Sequence, residues 1–225
     1  MTDFLLIRHG SNDWVGDRLA GWTPGVHLNE AGRKQAATLA QRLADWPIEA
    51  VYSSPLERAV ETAEITTEPH ELPIQIEEGV GEARFGEWTG QSIKVLRKTP
   101  EWARVQFNPS SARFPGGESL GEMQARVVAS LERLCQVHPK GVVLIFSHAD
   151  VIKAAAAHYA GIHFDLFQRL VIDTASVTWI KLTDHGPRVI RLNDTGTLTP
   201  PKLTSQDSDE HPKEPPASEE KDLPA

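Results

Sequence analysis

The chain has 225 residues, 40% hydrophobic and 24% charged, which is enough apolar material for one core of ordinary domain size. A formal net charge of -8 with no Lys/Arg cluster argues against a nucleic-acid surface. The single cysteine, Cys135, excludes an internal disulfide, and the short apolar run before Arg8 is neither a signal peptide nor a membrane span, so the default expectation is a cytoplasmic protein.

The first element is Phe4-Leu5-Leu6-Ile7, an apolar run that predicts a buried strand. It leads directly into Arg8-His9-Gly10, so a cation and an imidazole stand together at the strand's end. An imidazole nitrogen can attack phosphorus and leave a phosphohistidine, while a neighbouring guanidinium grips the phosphoryl oxygens in a bidentate fashion. Asn29 caps a predicted helix whose Ala36, Leu39, Ala40 and Leu43 share one face and which Pro47 ends. Ala50-Val51-Tyr52 is a short strand. Ser54, Pro55 and Glu57 then read as N-cap, first helical residue and reciprocal capping-box partner. That reading puts Arg58 in the opening turn of a helix, where anions are already favoured.

Glu82 lies in the turn-rich segment Glu82-Ala83-Arg84-Phe85-Gly86-Glu87-Trp88-Thr89-Gly90, from which a carboxyl can reach a leaving oxygen. A second capping box, Ser119 with Glu122, opens a helix with Leu120, Met123, Val127, Leu131 and Leu134 on its inner side; Cys135 falls beside that face as a buried thiol. The run Val142-Val143-Leu144-Ile145-Phe146 is typical of a buried parallel strand, and His148 follows just past its carboxyl end, the edge at which α/β sheets bind ligands. Gly161 closes the next helix. Ser176 to Leu182 and Arg188 to Leu192, joined by Thr183 to Pro187, read as an edge hairpin. Strand signals alternating with amphipathic helices predict an α/β fold with a mostly parallel sheet between helical layers. From Leu198 to Ala225 the chain carries six prolines, seven acids and three lysines, so a disordered acidic tail is expected behind one folded domain, residues 1–197.

The set Arg8-His9-Gly10, Gly21-Trp22, Leu28 to Arg33, Ser53 to Thr62, Glu82 with Phe85 to Gly90, Gly116-Gly117-Glu118-Ser119 and Ser147-His148 resembles the histidine phosphatase superfamily, in its phosphoglycerate mutase-like branch. The resemblance implies a three-layer α/β/α sandwich, a phosphohistidine at His9, a phosphate pocket of Arg8, Arg58 and His148, and Glu82 as general acid and base. It also implies that Gly21, Trp22 and Asn12 belong to the substrate-binding set; many relatives have a phosphate-contacting Asn where this chain has Val15, so that contact is either lost or supplied by Asn12. Ser11 and Ala149 are further departures from the common pattern. They bear on pocket shape rather than on the chemistry.

Considered without the family, a neutral imidazole backed by cations suits attack on a phosphomonoester dianion, and phosphoryl transfer depends chiefly on positioning and charge stabilisation. Two acceptors stay open: water gives a phosphatase acting on a small phosphorylated metabolite, and a second hydroxyl gives a phosphomutase. By the family resemblance, the Trp88 to Gly116 stretch is similar to that of phosphatase members and short for the longer cover with which mutases shield the phosphoenzyme from water. A noncatalytic phosphometabolite-binding protein is the third reading, against which stands the retention of both His9 and Glu82. No cofactor is expected. A metal held by His9, His148 and Asp150 is disfavoured, because two arginines beside a cation would repel it. Trp14, Trp22, Trp88 and Trp102 are candidates either to wall the pocket or to pack in the core.

Overall fold

The computed structural model describes residues 1–196; the expected tail at 198–225 lies outside the described residues. Six strands form one sheet: β1 (Thr2–Arg8), β2 (Ile48–Ser53), β3 (Ile74–Ile76), β4 (Val142–Ser147), β5 (Val177–Thr183) and β6 (Gly186–Asp194), in the spatial order β3-β2-β4-β1-β5-β6. The β3-β2, β2-β4 and β4-β1 pairings are parallel, and β5 is antiparallel to both β1 and β6, so only β5 runs against the rest. The hairpin expected at the end of the chain is present, with β6 as the edge strand and Pro187 on it, where a missing donor is tolerated.

Side-chain alternation along the central strands explains the three layers. Phe4 and Leu6 of β1, with Val143 and Ile145 of β4, pack under α5 (Leu120–Val137) and α6 (Ala149–Ala160). Leu5 and Ile7, with Leu144 and Phe146, face the opposite way, toward α1 (Glu30–Leu43) and α2 (Glu57–Thr67). Both central strands are apolar on successive residues because both of their faces are covered. Two helices stood in no sequence expectation: α3 (Ile93–Leu96) and α4 (Pro100–Phe107), the latter capped by Thr99 with Pro100 in its first turn.

The α1 and α5 starts follow their sequence signals. Asn29 accepts from the Gly32 amide, and Ser119 and Glu122 form a reciprocal capping box. Ser119→Ala is expected to cost about 1 kcal/mol through the lost cap, read as a lower urea midpoint with an unchanged slope. At α2 the expectation is corrected. The helix begins at Glu57 after Leu56, with no side-chain cap; the Ser54 hydroxyl instead meets Nε2 of His148 at 2.8 Å, and Glu57 Oε1 accepts from the Gly25 amide at 3.0 Å. The same hydroxyl accepts from the Leu56 amide at 3.3 Å, short of the helix, and its partner 94 positions away holds it there. Cys135 is only partly buried, its sulfur 3.3 Å from the Thr2 hydroxyl.

Candidate active site

The site grows from the carboxyl ends of the two central strands. Arg8 of β1 is in register with Ser147 of β4, and the His9 amide donates to the Ser147 carbonyl at 3.0 Å, so the next residues, His9 and His148, come side by side with ring centroids 5.2 Å apart. The turn after His9 is pressed against α1. A Cβ on Gly10 would lie 2.7 Å from the Gly32 carbonyl oxygen, and one on Gly32 would lie 2.1 Å from the Ser11 carbonyl oxygen, which explains a glycine at both places. The Thr62 hydroxyl accepts from the Gly10 amide at 2.9 Å and donates to the Arg58 carbonyl at 2.6 Å, joining the His9 turn to α2.

His9 is buried, and its Nδ1 lies 2.8 Å from the Gly10 carbonyl oxygen. A carbonyl only accepts, so Nδ1 carries the proton and Nε2 keeps its lone pair. Burial, then the charges of Arg58 and Arg8, hold the His9 pKa well below its ordinary value, so the ring is neutral near pH 7.

Arg58 is 1% exposed. Its Nη2 donates to the Gly21 carbonyl at 2.9 Å and to His148 Nδ1 at 3.3 Å, while Nε and Nη1 are buried with no hydrogen-bond partner. Arg8 is similar: Nη1 donates to the Ile172 carbonyl at 2.7 Å and Nε is buried and unpartnered. Burial lowers the pKa of both guanidinium groups, opposed by Glu82 in each case, and from so high a start both stay charged. Unpaired buried charged donors are costly, so these three N–H groups mark where an anion would be most strongly held.

His148 is fully buried. Because the guanidinium can only donate, His148 Nδ1 accepts from Arg58, and Nε2–H donates to the Ser54 hydroxyl. Its pKa is pushed well below the ordinary value by burial and then by Arg58, His9 and Arg8. Glu82 Oε2 stands 3.7 Å from the same Nδ1. The Glu82 pKa is raised to about 7, first by burial and then by the negative charge of Asp150, against the opposing pull of Arg58, the Ala83 amide and Arg8. A carboxyl with that affinity exchanges its proton readily at neutral pH.

The backbone of Glu82 is held from α5. Arg126 donates to the carbonyls of Gly79, Gly81 and Glu82 at 2.8 to 3.0 Å and pairs with Glu118 at 2.8 Å, and Glu118 also accepts from the Arg84 amide. The Gly116-Gly117-Glu118-Ser119 segment thus serves the Glu82 loop through Arg126, a residue that sequence reasoning did not single out.

Arg8, His9, Arg58 and Glu82 line one cavity of about 140 Å³, together with Asn12, Trp14, Val15, Arg18, Phe85, Ile93 and Asp150. Asn12 is buried on its wall and accepts from the Trp14 amide at 2.9 Å. Gly21, Trp22 and His148 are not on that wall. Gly21 offers its carbonyl to Arg58, Trp22 donates its indole N–H to the Glu82 carbonyl at 2.7 Å, and His148 stands behind Arg58 and Glu82. Trp88 is buried and stacks on Trp102, away from the cavity. Among the described residues, no group of three His, Cys, Asp or Glu side chains is arranged to hold a metal ion.

Comparison with known proteins agrees with this geometry. The model of the histidine phosphatase superfamily (branch 1) matches residues 4–195. Phosphoserine phosphatase 1 of Hydrogenobacter thermophilus is 32% identical over 199 residues, 87% of this chain and 93% of that protein. The metal-independent phosphoserine phosphatase of Arabidopsis thaliana is 33% identical over 161 residues, 68% and 67% of the two chains. Among solved structures, Bacillus stearothermophilus YhfR superposes with a TM-score of 0.81 at 28% identity, covering 86% of this chain and 98% of that one. With the family match running from β1 past the end of β6, the chain belongs to branch 1 of the histidine phosphatase superfamily.

Proposed function

We propose that the protein is a phosphatase of small phosphomonoesters that works through a phosphohistidine at His9. The observation that carries this is the free Nε2 of a neutral His9 beside unpartnered buried N–H groups of Arg8 and Arg58. The guanidinium groups bind the phosphoryl oxygens and stabilise the charge that builds on them in the transition state. Nε2 attacks phosphorus, the ester P–O bond breaks, and the proton of Glu82 goes to the departing alkoxide. The Glu82 carboxylate then takes a proton from water as that water attacks phosphorus, the N–P bond breaks, and inorganic phosphate leaves with Nε2 restored. His148 acts from behind, where its Nδ1 fixes Arg58 Nη2 and so the angle of the guanidinium.

The cavity volume of about 140 Å³ accommodates a phosphoryl group with a few further heavy atoms, which supports small metabolites as substrates. The relatives named as phosphoserine phosphatases support hydrolysis over transfer. Incubation with ³²P-labelled phosphomonoesters followed by a rapid alkaline quench is expected to trap an acid-labile, base-stable phosphoprotein, with label released as inorganic phosphate on longer incubation. Label passing instead to a second hydroxyl of an added sugar acid, faster than to water, would make the protein a mutase.

A further inference from the structure

On the cavity wall Asp150 enters phosphoryl transfer only at a distance, through the negative charge that helps raise the proton affinity of Glu82. Arg8 and Arg58 face the phosphate, Glu82 carries the proton, and Arg18 is neutralised by Asp17 at 3.5 Å. Asp150 has the wrong sign for a site that binds a dianion. A carboxylate there adds like-charge repulsion against the phosphate, moderated by its ion pair with Lys153.

The geometry of Asp150 is that of a fixed acceptor. It sits in the first turn of α6, where Oδ1 accepts from Lys153 Nζ at 3.2 Å, and Lys153 is tied in turn to Gln168 at 3.1 Å. Oδ2 takes no hydrogen bond or ion pair among the described residues, and the side chain is 24% exposed. Lys153 therefore orients the carboxylate through one oxygen and leaves the other without a partner among the described residues, in a side chain that lines the cavity. Stabilisation of the helix terminus would explain an acidic residue in this turn, but not its place on the wall of an anion cavity.

We infer that Asp150 is a specificity-determining residue that binds a cationic group on the alcohol portion of the substrate, so that the preferred substrates are phosphomonoesters of short amino alcohols. This rests on the phosphatase reading above and deepens it. Asp150 lines the same cavity as Arg8, His9 and Arg58, so an ammonium carried close to the ester is placed to meet it, and its charge offsets the repulsion between Asp150 and the dianion. A carboxylate in the same place would be repelled, which disfavours sugar-acid phosphates.

The test uses an isosteric pair, phosphoethanolamine and propyl phosphate, in which a methyl replaces the ammonium. Wild-type kcat/KM is expected to favour phosphoethanolamine by about tenfold or more, the usual worth of a charge-assisted hydrogen bond. In Asp150→Asn that ratio is expected to fall by about the same factor. The ratio is decisive because a role exerted only through the proton affinity of Glu82 would move both substrates together. A wild-type enzyme that hydrolyses propyl phosphate as fast as phosphoethanolamine overturns the inference without recourse to the variant, and so does a ratio unchanged in Asp150→Asn. In either case measurable hydrolysis leaves the phosphatase reading standing; no turnover of any phosphomonoester and no phosphoenzyme would remove both.

Discussion

Replacing His9 by alanine is expected to lower kcat by at least roughly 10⁴-fold and to abolish the acid-labile phosphoenzyme, while inorganic phosphate still binds. The two halves of this result have separate causes. The anion is held by guanidinium groups whose own supports, the carbonyls of Ile172 and Gly21 and Nδ1 of His148, do not involve the His9 ring. Covalent transfer, by contrast, has one available lone pair, because Nδ1 of His9 is committed to the Gly10 carbonyl and His148 directs its own N–H at Ser54. Single-turnover kinetics with a chromogenic phosphate ester and isothermal titration with phosphate measure the two halves independently. A variant that keeps more than about a hundredth of wild-type kcat would place the nucleophile elsewhere.

Glu82→Gln is expected to lower kcat/KM for alkyl phosphates by about 10²- to 10⁴-fold and to spare p-nitrophenyl phosphate, whose leaving group departs without a proton. In the wild type, kcat/KM for alkyl phosphates falls as pH rises through about 7, since only the protonated carboxyl can act as the acid. His9 adds no loss on the acidic side until well below its ordinary pKa, because burial and the two arginines keep the ring neutral there. Ionisation of the substrate phosphate appears equally in wild type and variant, so their difference isolates Glu82. The same carboxyl makes the fold less stable in alkali. Its folded pKa of about 7 lies above the usual 4.5, so the stability it contributes is complete below pH 4.5 and is lost as pH rises through 7, to a total of about 3 kcal/mol. Thermal melts of Glu82→Gln are therefore expected to exceed wild type at pH 8 and to match it at pH 4.

How far each feature could be read from the sequence depended on the range of the forces that produce it. The β1 and β4 runs, the Asn29 and Ser119 caps and the Gly161 stop are set by neighbours within a few residues, and all are present in the structure. The α2 start was misread because Ser54 has a local partner in the chain and a better one in His148. The α4 start was signalled by Thr99-Pro100 but lay in a stretch considered only for its length. In the site, chemistry-bearing residues stood out by type. Those that act through geometry did not: Thr62 ties the His9 turn to α2 by a threonine hydroxyl of no particular sequence signature, and Arg126 looks like any polar residue on an amphipathic helix until the Glu82 loop is folded against it. The Glu118-Arg126 spacing, two turns apart across a helix start, was the one local hint.

The placement of β1 has a consequence for how the protein is made. Of the six strands it is the first to be made, yet its neighbours on either side are β4, about 140 residues later, and β5, later still. Both edges of Phe4 to Ile7, and the Phe4 and Leu6 face that α5 and α6 cover, must therefore wait through most of translation uncovered. The segment that leads into His9 is thus also the one most exposed to off-pathway association, and a nascent chain stalled before Val142 would display it without the means to bury it.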